Sequence, residues 1–257
     1  MQRNLLASSS ADTTVKLWDL QSQKCAYSFN HHKDKVQQVE WHFIDSTILL
    51  TASFDKTVAA FDSRAPSNVA YWNLGGADPE CIHWDPFAPQ YFYVSTEAGF
   101  VLYFDVRSPG QTSIFTLHAH DSAVTSLDIN PLIQGCVITG STDKMVKVWD
   151  IKDTKPTIVT SRDLGVGKVF SAQFSPDSPF QLAVAGSEGK VFIWDLSSNA
   201  SVRNSFKGRT NLPIRDDVLN AEKIVATSQD DSSEHDEDED EDDGVNLEEM
   251  EDDSGDD

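Results

Sequence analysis

Cysteine is scarce in this chain. There are three in 257 residues, Cys25, Cys81 and Cys136. An odd count with no Cys-x-x-Cys pair argues against a disulfide framework and a thiolate zinc site, and all three are expected as buried, reduced thiols. His31-His32 and His118/His120 have no carboxylate or Cys at metal-ligand spacing, so no metal site is expected there either. No apolar run approaches the roughly 18 residues that a membrane-spanning helix needs. Gly165-Val166-Gly167-Lys168 lacks the upstream glycine of a phosphate loop, with Arg162 in its place, and Val169 stands where Ser or Thr is required. It reads as a turn. Positive charge is absent after Lys223, and nowhere do Lys and Arg cluster as phosphate neutralisation demands; nucleic acid is expected to be met only through other proteins. No cofactor and no small-molecule substrate is implied.

What is present is negative charge, unevenly spread. The formal net charge is −22, but residues 230–257 hold 18 of the 42 acidic side chains. Residues 1–223 carry the other 24 acids against 20 bases, an ordinary near-neutral body. From Ala226 onward there is almost nothing apolar, and the like charges repel, so residues 230–257 are expected as a disordered acidic tail after a linker at 211–229. Ser228, Ser232, Ser233 and Ser254 are followed by acids at +2 or +3, which suits an acidophilic kinase and would deepen the charge.

The body is organised by a dipeptide. An aromatic followed by Asp recurs as Trp18-Asp19, Phe61-Asp62, Phe104-Asp105, Trp149-Asp150 and Trp194-Asp195, at intervals of 43, 43, 45 and 45 residues. A period of about 40–45 residues ending in Trp-Asp marks one four-stranded blade of a WD40 β-propeller. The expectation is an all-β chain of about five blades over residues 1–210. Alternating apolar runs supply the strands. In the fourth repeat these are 123–129, 136–140, 145–150 and 157–160. The fifth repeat reads as 168–174, 181–186, 190–195 and an outer strand at 201–206. The first repeat has strands at 5–9 and 15–18 and no room for an innermost strand before them. An open arc has free edges that template aggregation, so the chain is expected to be part of a larger, seven-bladed ring. The alternative is a closed five-bladed ring that borrows its missing strand from residues 214–228.

In the fourth repeat His120, Ser141, Asp143 and Trp149 stand at the positions of the WD40 hydrogen-bonded tetrad. The resemblance implies that the Trp149 indole donates to Ser141, Ser141 bonds His120, and His120 bonds Asp143. The same spacing recurs as His32, Ser53 and Asp55, with Phe61 replacing the Trp. Recurrence makes this a structural device and not a hydrolase triad. The third and fifth repeats have no such His and carry Glu97 and Glu188 at the turn, so they are expected to rely on packed aromatics. Function is then sought at the loops around the central channel, where Lys35, Gln37, Phe54, Thr125 and Thr142 are candidate partner-binding residues. Phe54 is expected to be exposed, as an interface anchor.

Several longer stretches are similar to the carboxy-terminal portion of the periodic tryptophan protein 1 family: RNLLASSSADTTVKLWD at 3–19, SFDKTVAAFDSRAP at 53–66, HAHDSAVTSLDIN at 118–130 and GCVITGSTDKMVKVWDI at 135–151. That resemblance implies a non-enzymatic scaffold of the nucleus and nucleolus. It would act in pre-rRNA processing, ribosomal RNA transcription and chromatin association, with pre-ribosomal assembly factors, histones or basic ribosomal proteins as partners. A second resemblance is shorter. Asp62-Ser63-Arg64 and Asp105-Val106-Arg107 end two consecutive repeats in Asp-x-Arg, like the paired boxes of substrate receptors of the cullin-4 ubiquitin ligase, and imply adaptor contact through Asp62, Arg64, Asp105 and Arg107.

Overall fold

The computed structural model describes residues 4–209. The linker at 211–229, the acidic segment 230–257, the alternative closing strand at 214–228 and the serines at 228, 232, 233 and 254 lie outside them. Eighteen strands and one short helix form five antiparallel sheets among the described residues. Each sheet is one blade, and each is a meander of neighbours in sequence.

Blade 1 holds β1 (Leu5–Ser9), β2 (Val15–Asp19) and β3 (Lys24–Phe29). Blade 2 holds β4 (Val36–Trp41), β5 (Ile48–Ser53), β6 (Thr57–Asp62) and β7 (Val69–Asn73). Blade 3 has β8 (Pro79–Trp84), β9 (Tyr91–Thr96), β10 (Phe100–Asp105) and β11 (Phe115–His118). Blade 4 has β12 (Ser126–Ile129), β13 (Cys136–Gly140), β14 (Met145–Lys152) and β15 (Lys155–Asp163). Blade 5 has β16 (Val169–Phe174), β17 (Gln181–Gly186) and β18 (Val191–Asp195). This is a partial WD40 propeller, as the repeat spacing requires. Among the described residues β1 has no inner neighbour, and β18 has no outer one.

The core lies between blades. Every residue of β13 is buried, because a second strand is flanked on both edges and covered on both faces. Trp72, Ile82, Phe92 and Phe104 fill the gap between blades 2 and 3, with the Phe92 ring 5.1 Å from Trp72 and 5.4 Å from Phe104. The hairpin turns between second and third strands repeat as well. Lys56 and Lys144 adopt φ of 69° and 75°, and Gly99 takes the equivalent place at 88°. Only glycine fits there, since a Cβ would meet the His120 carbonyl oxygen at 2.0 Å.

Two expectations fail. Residues 201–206 do not form an outer strand; α1 (Ala200–Ser205) stands in that place. The Asn199 side chain caps it by accepting from the Ser201 and Val202 amides, and Val202 and Phe206, four apart, are the residues it buries. A strand would have put Asn204 on the same face as Val202 and Phe206, but Asn204 is exposed. The thiols also differ from expectation: Cys136 is buried and Cys81 half-buried, but Cys25 is exposed on the outermost strand of blade 1.

Candidate functional site

The polar chain of blade 4 runs through a residue that the sequence reading missed. The Trp149 indole Nε1 donates to Thr139 Oγ1 at 2.8 Å, Thr139 Oγ1 meets His120 Nε2 at 2.8 Å, and His120 Nδ1 meets Asp143 Oδ2 at 2.8 Å. With Nδ1–H donating to the carboxylate, Nε2 accepts from the Thr139 hydroxyl, whose oxygen is then free to accept from the indole. Every donor in the chain has an acceptor, which is what burial demands. Thr139 is 0% exposed and His120 1%.

Ser141 is therefore not the tetrad hydroxyl. Register decides this. Trp149 pairs with Val137 across the β13–β14 ladder, so Thr139 is its diagonal neighbour on the same face. At about 3.4 Å per residue, Ser141 lies about 14 Å along from Val137, beyond the indole's reach. Its hydroxyl serves the turn instead, accepting from the Asp143 amide at 3.1 Å. Ser53 is corrected in the same way. His32 Nε2 meets Thr51 Oγ1 at 2.8 Å and Nδ1 meets Asp55 Oδ2 at 3.0 Å, while Ser53 Oγ accepts from the Asp55 amide at 3.1 Å. In blade 1 Trp18 pairs with Leu6, and its indole bonds Ser8, again two residues on, at 2.9 Å. Burial holds the His32 and His120 rings below the usual imidazole value, against the opposing pull of Asp55 and Asp143.

Blades 3 and 5 have Val94 and Val184 at the hydroxyl position, opposite Leu102 and Phe192 in their ladders. Blade 3 places its polar anchor elsewhere. Asp85, in the turn after β8, accepts from Tyr103 Oη at 2.8 Å and from the Phe87 amide at 2.9 Å. In blade 5 the Phe192 and Trp194 rings are met from blade 4 by the Arg162 guanidinium of β15, 5.9 Å from both ring centres.

The tetrad side of the array carries the candidate contact residues. The Lys35 carbonyl accepts from the Phe54 amide at 2.9 Å, and the Lys35 ammonium lies 5.8 Å from the Phe54 ring centre. Phe54 is half-buried under that contact and not exposed as expected. The Thr142 amide bonds the Ala123 carbonyl at 3.1 Å. Thr125 is not free: its hydroxyl donates to the Val169 carbonyl of blade 5. Inner strands β4, β8 and β16 each open with a break in register, at Gln37, Glu80 and Phe170. Bulges at such rims re-aim side chains. Gln37 is exposed, and Phe170, absent from the sequence candidates, is 56% exposed. Burial, with Glu97 and Asp78 nearby, raises the Glu80 carboxyl. No periodicity marks Phe170, because only the bulge turns it outward.

The two Asp-x-Arg turns are self-contained. Arg64 grips Asp62 through Nε at 3.1 Å and Nη2 at 2.7 Å, and Arg107 grips Asp105 at 2.9 and 2.7 Å. These bonds bring the Asp62 carboxyl down to about 2. Both guanidinium groups are largely exposed, and that of Arg107 lies 5.7 Å from the Tyr91 ring centre.

Comparison with known proteins agrees with this architecture. The family model described as "WD domain, G-beta repeat" matches residues 2–19, 23–62, 111–150 and 162–195, about half of the chain. The unmatched stretch 63–110 holds most of the divergent third blade. An uncharacterized WD repeat-containing protein of Schizosaccharomyces pombe is 39% identical over 242 residues, 91% of this chain and 45% of that protein. Periodic tryptophan protein 1 of Saccharomyces cerevisiae is 38% identical over 222 residues, 80% of this chain and 38% of the yeast protein. A homolog of that protein in Drosophila melanogaster is 28% identical over 208 residues, covering 79% and 45% respectively. The chain thus spans less than half the length of these curated relatives, and they match the resemblance read from residues 3–151.

Proposed function

This chain belongs to the WD domain, G-beta repeat family, and from that premise we propose that it is a non-enzymatic docking scaffold in ribosome biogenesis. The observation that carries the reading is the division of labour among its polar groups. The His and Thr side chains that could suggest catalysis are buried and, with the half-buried Asp55 and Asp143, consumed by one another in two blades. Around the channel, by contrast, bulged inner strands turn Gln37 and Phe170 toward solvent. A rigid array with re-aimed rim side chains offers a partner a preformed patch in which an aromatic anchor dominates the binding energy.

Similarity to periodic tryptophan protein 1 supports pre-ribosomal assembly factors as the partners and the nucleus and nucleolus as the place. Histones and basic ribosomal proteins are the natural counterparts of the acidic segment 230–257. Roles in pre-rRNA processing, ribosomal RNA transcription and chromatin association belong to the same proposal, as does acidophilic phosphorylation at Ser228, Ser232, Ser233 and Ser254. The test is an alanine series at Lys35, Gln37, Phe54, Thr142 and Phe170, read by capture of pre-ribosomal proteins and histones with the folded state checked by circular dichroism. Loss of capture with Phe170→Ala and retained folding supports the rim. Undiminished capture by all five variants moves the contact to the Asp-x-Arg edge, where Arg64→Ala and Arg107→Ala would then abolish recovery of a ubiquitin-ligase adaptor.

A further inference from the structure

Glu40, His83 and Asp128 occupy one structural position on three successive inner strands, each one residue before the residue that closes the strand: Trp41 in β4, Trp84 in β8 and Ile129 in β12. Nothing in the sequence joins them, since they are separated by more than forty residues. The inner strands, however, lie side by side and are stitched together by side chains. The Gln38 amide group bonds both the Ile82 carbonyl, at 2.9 Å, and the Ile82 amide, at 3.0 Å. Cys81 Sγ lies 3.3 Å from the Thr125 carbonyl, and Ser126 Oγ accepts from the Ala172 amide at 2.8 Å. These links set blades 2 to 5 in register and bring the three titratable groups together.

His83 Nδ1 is 3.5 Å from Glu40 Oε1. The other Glu40 oxygen, Oε2, is buried and finds no hydrogen-bond partner among the described residues. Asp128 is committed in the opposite direction: Oδ2 accepts from the Phe174 amide of blade 5 at 2.7 Å, and Oδ1 accepts from the Ile129 amide at 2.9 Å. Two carboxylates with an imidazole between them therefore line one level of the wall. The charged groups that bear on His83 are Glu40 from β4 and Asp128 from β12; β16 offers only the uncharged Gln173 at this level. With the ring neutral, the level carries two like charges in a partly desolvated place. With the ring protonated, it carries a cation flanked by two anions, each from a different blade.

We propose that His83 is a proton-dependent tie across three blades, drawing Glu40 and Asp128 together when protonated and letting the inner wall loosen when it gives up the proton. Burial pulls the His83 ring toward lower values, but Glu40, through its hydrogen bond and charge, and Asp128 overcome that and leave it raised. Burial raises the Asp128 carboxyl, and His83 counters this. The sign is opposite to that of His32 and His120. A raised folded-state imidazole contributes stability that is complete below the unfolded value, about 6.5, and is lost as pH climbs through the folded value. The tie is thus complete below about 6.5 and is released as pH climbs above that value.

The test is a carbon-detected NMR titration of the imidazoles in the intact chain between pH 5 and 9, on the wild type, Glu40→Gln and Asp128→Asn. The expected result is a His83 midpoint above the free-histidine value, moved down by Glu40→Gln and, less, by Asp128→Asn, with the His32 and His120 midpoints unmoved. A His83 midpoint at or below the free value, or one that ignores both variants, overturns the proposal. Should a variant fail to fold, amide exchange of the wild type at Ile82 and Leu127 serves instead. Faster opening at pH 8.5 than at pH 6.5, after correction for the intrinsic rate, supports the tie, and an equal rate refutes it.

Discussion

In blade 4 a buried hydroxyl, Thr139, takes the Trp149 indole and serves His120, whereas blade 3 has Val94 and Phe104 at the matching places and no such histidine. The consequence is positional. His120 sits in the loop that leads into blade 4, so its chain clamps that loop onto the hairpin turn at Asp143, and Lys147 adds a bond to the Ala119 carbonyl at 2.7 Å. Blade 3 fills its gap with aromatic rings and has its polar anchor between Asp85, in the turn at the far end of β8, and Tyr103 of β10. Two neighbouring blades of one architecture thus hold the same kind of core and both anchor the turn after the inner strand, blade 4 through Asn130, which accepts from the Leu132 and Ile133 amides at 2.9 Å. The histidine clamp at the hairpin end belongs to blade 4 and not to blade 3. The rim of blade 3 is left to Asp78, Glu80 and Glu97, without a histidine clamp.

The most damaging way to probe that contrast is in the packed blade. Phe92 is 0% exposed among Trp72, Trp84 and Phe104, and Phe92→Ala should cost about 3–5 kcal/mol through the cavity it leaves. Urea unfolding measures it; a loss below 1 kcal/mol would mean that blade 3 does not depend on packing. Next in size is Thr139→Val in blade 4. It strips the partner from both the indole and the imidazole, and at about 1–2 kcal/mol per orphaned buried group, the lower part of the usual range, it should cost about 2–4 kcal/mol. Ser141→Ala, which removes only a turn contact, should cost about 1 kcal/mol or less. A larger loss for Ser141→Ala than for Thr139→Val would reverse the assignment of the tetrad.

Tyr103→Phe comes third. It takes one donor from the half-buried Asp85 carboxylate, and about 1–3 kcal/mol is expected. Amide exchange should then speed up near Asp85 and leave the Ala119–Val124 loop unchanged; the same change in both places would mean that the two anchors are not separate.

The smallest effect is in pH. His32 and His120 are held below the usual value, so their contribution is complete above about 6.5 and is lost as pH falls through the lowered folded values. Between pH 7.5 and 5.5 the urea midpoint of the wild type should drop more than that of His120→Gln. Equal slopes would show that the ring is not kept neutral by the fold.

Much of this was legible beforehand, and the misses share a cause. Trp-Asp spacing located five blades, and alternation located nearly every strand, because both are properties of short contiguous segments. The turn Asp of blades 2 and 4 is legible too, since Asp55 and Asp143 bind the Thr57 and Met145 amides two residues on as well as His32 and His120. The tetrad hydroxyl slipped by two residues because Ser141 and Thr139 face the same way, and only pairing with Trp149 separates them. Residues 201–206 suggest a strand because valine and phenylalanine in a polar run suit either element, until the Asn199 cap and a buried face decide.

The chain by itself determined what local chemistry can determine: the repeat, the strands, the turns, and a body distinct in charge from residues 230–257. Tertiary structure alone decided which hydroxyl meets the Trp149 indole, which way Phe170 points, and that His83 lies between Glu40 and Asp128. Those outcomes depend on ladder register and on the contact of inner strands some 44 residues apart in sequence. A pattern of period two carries no information about which neighbour will stand across a gap.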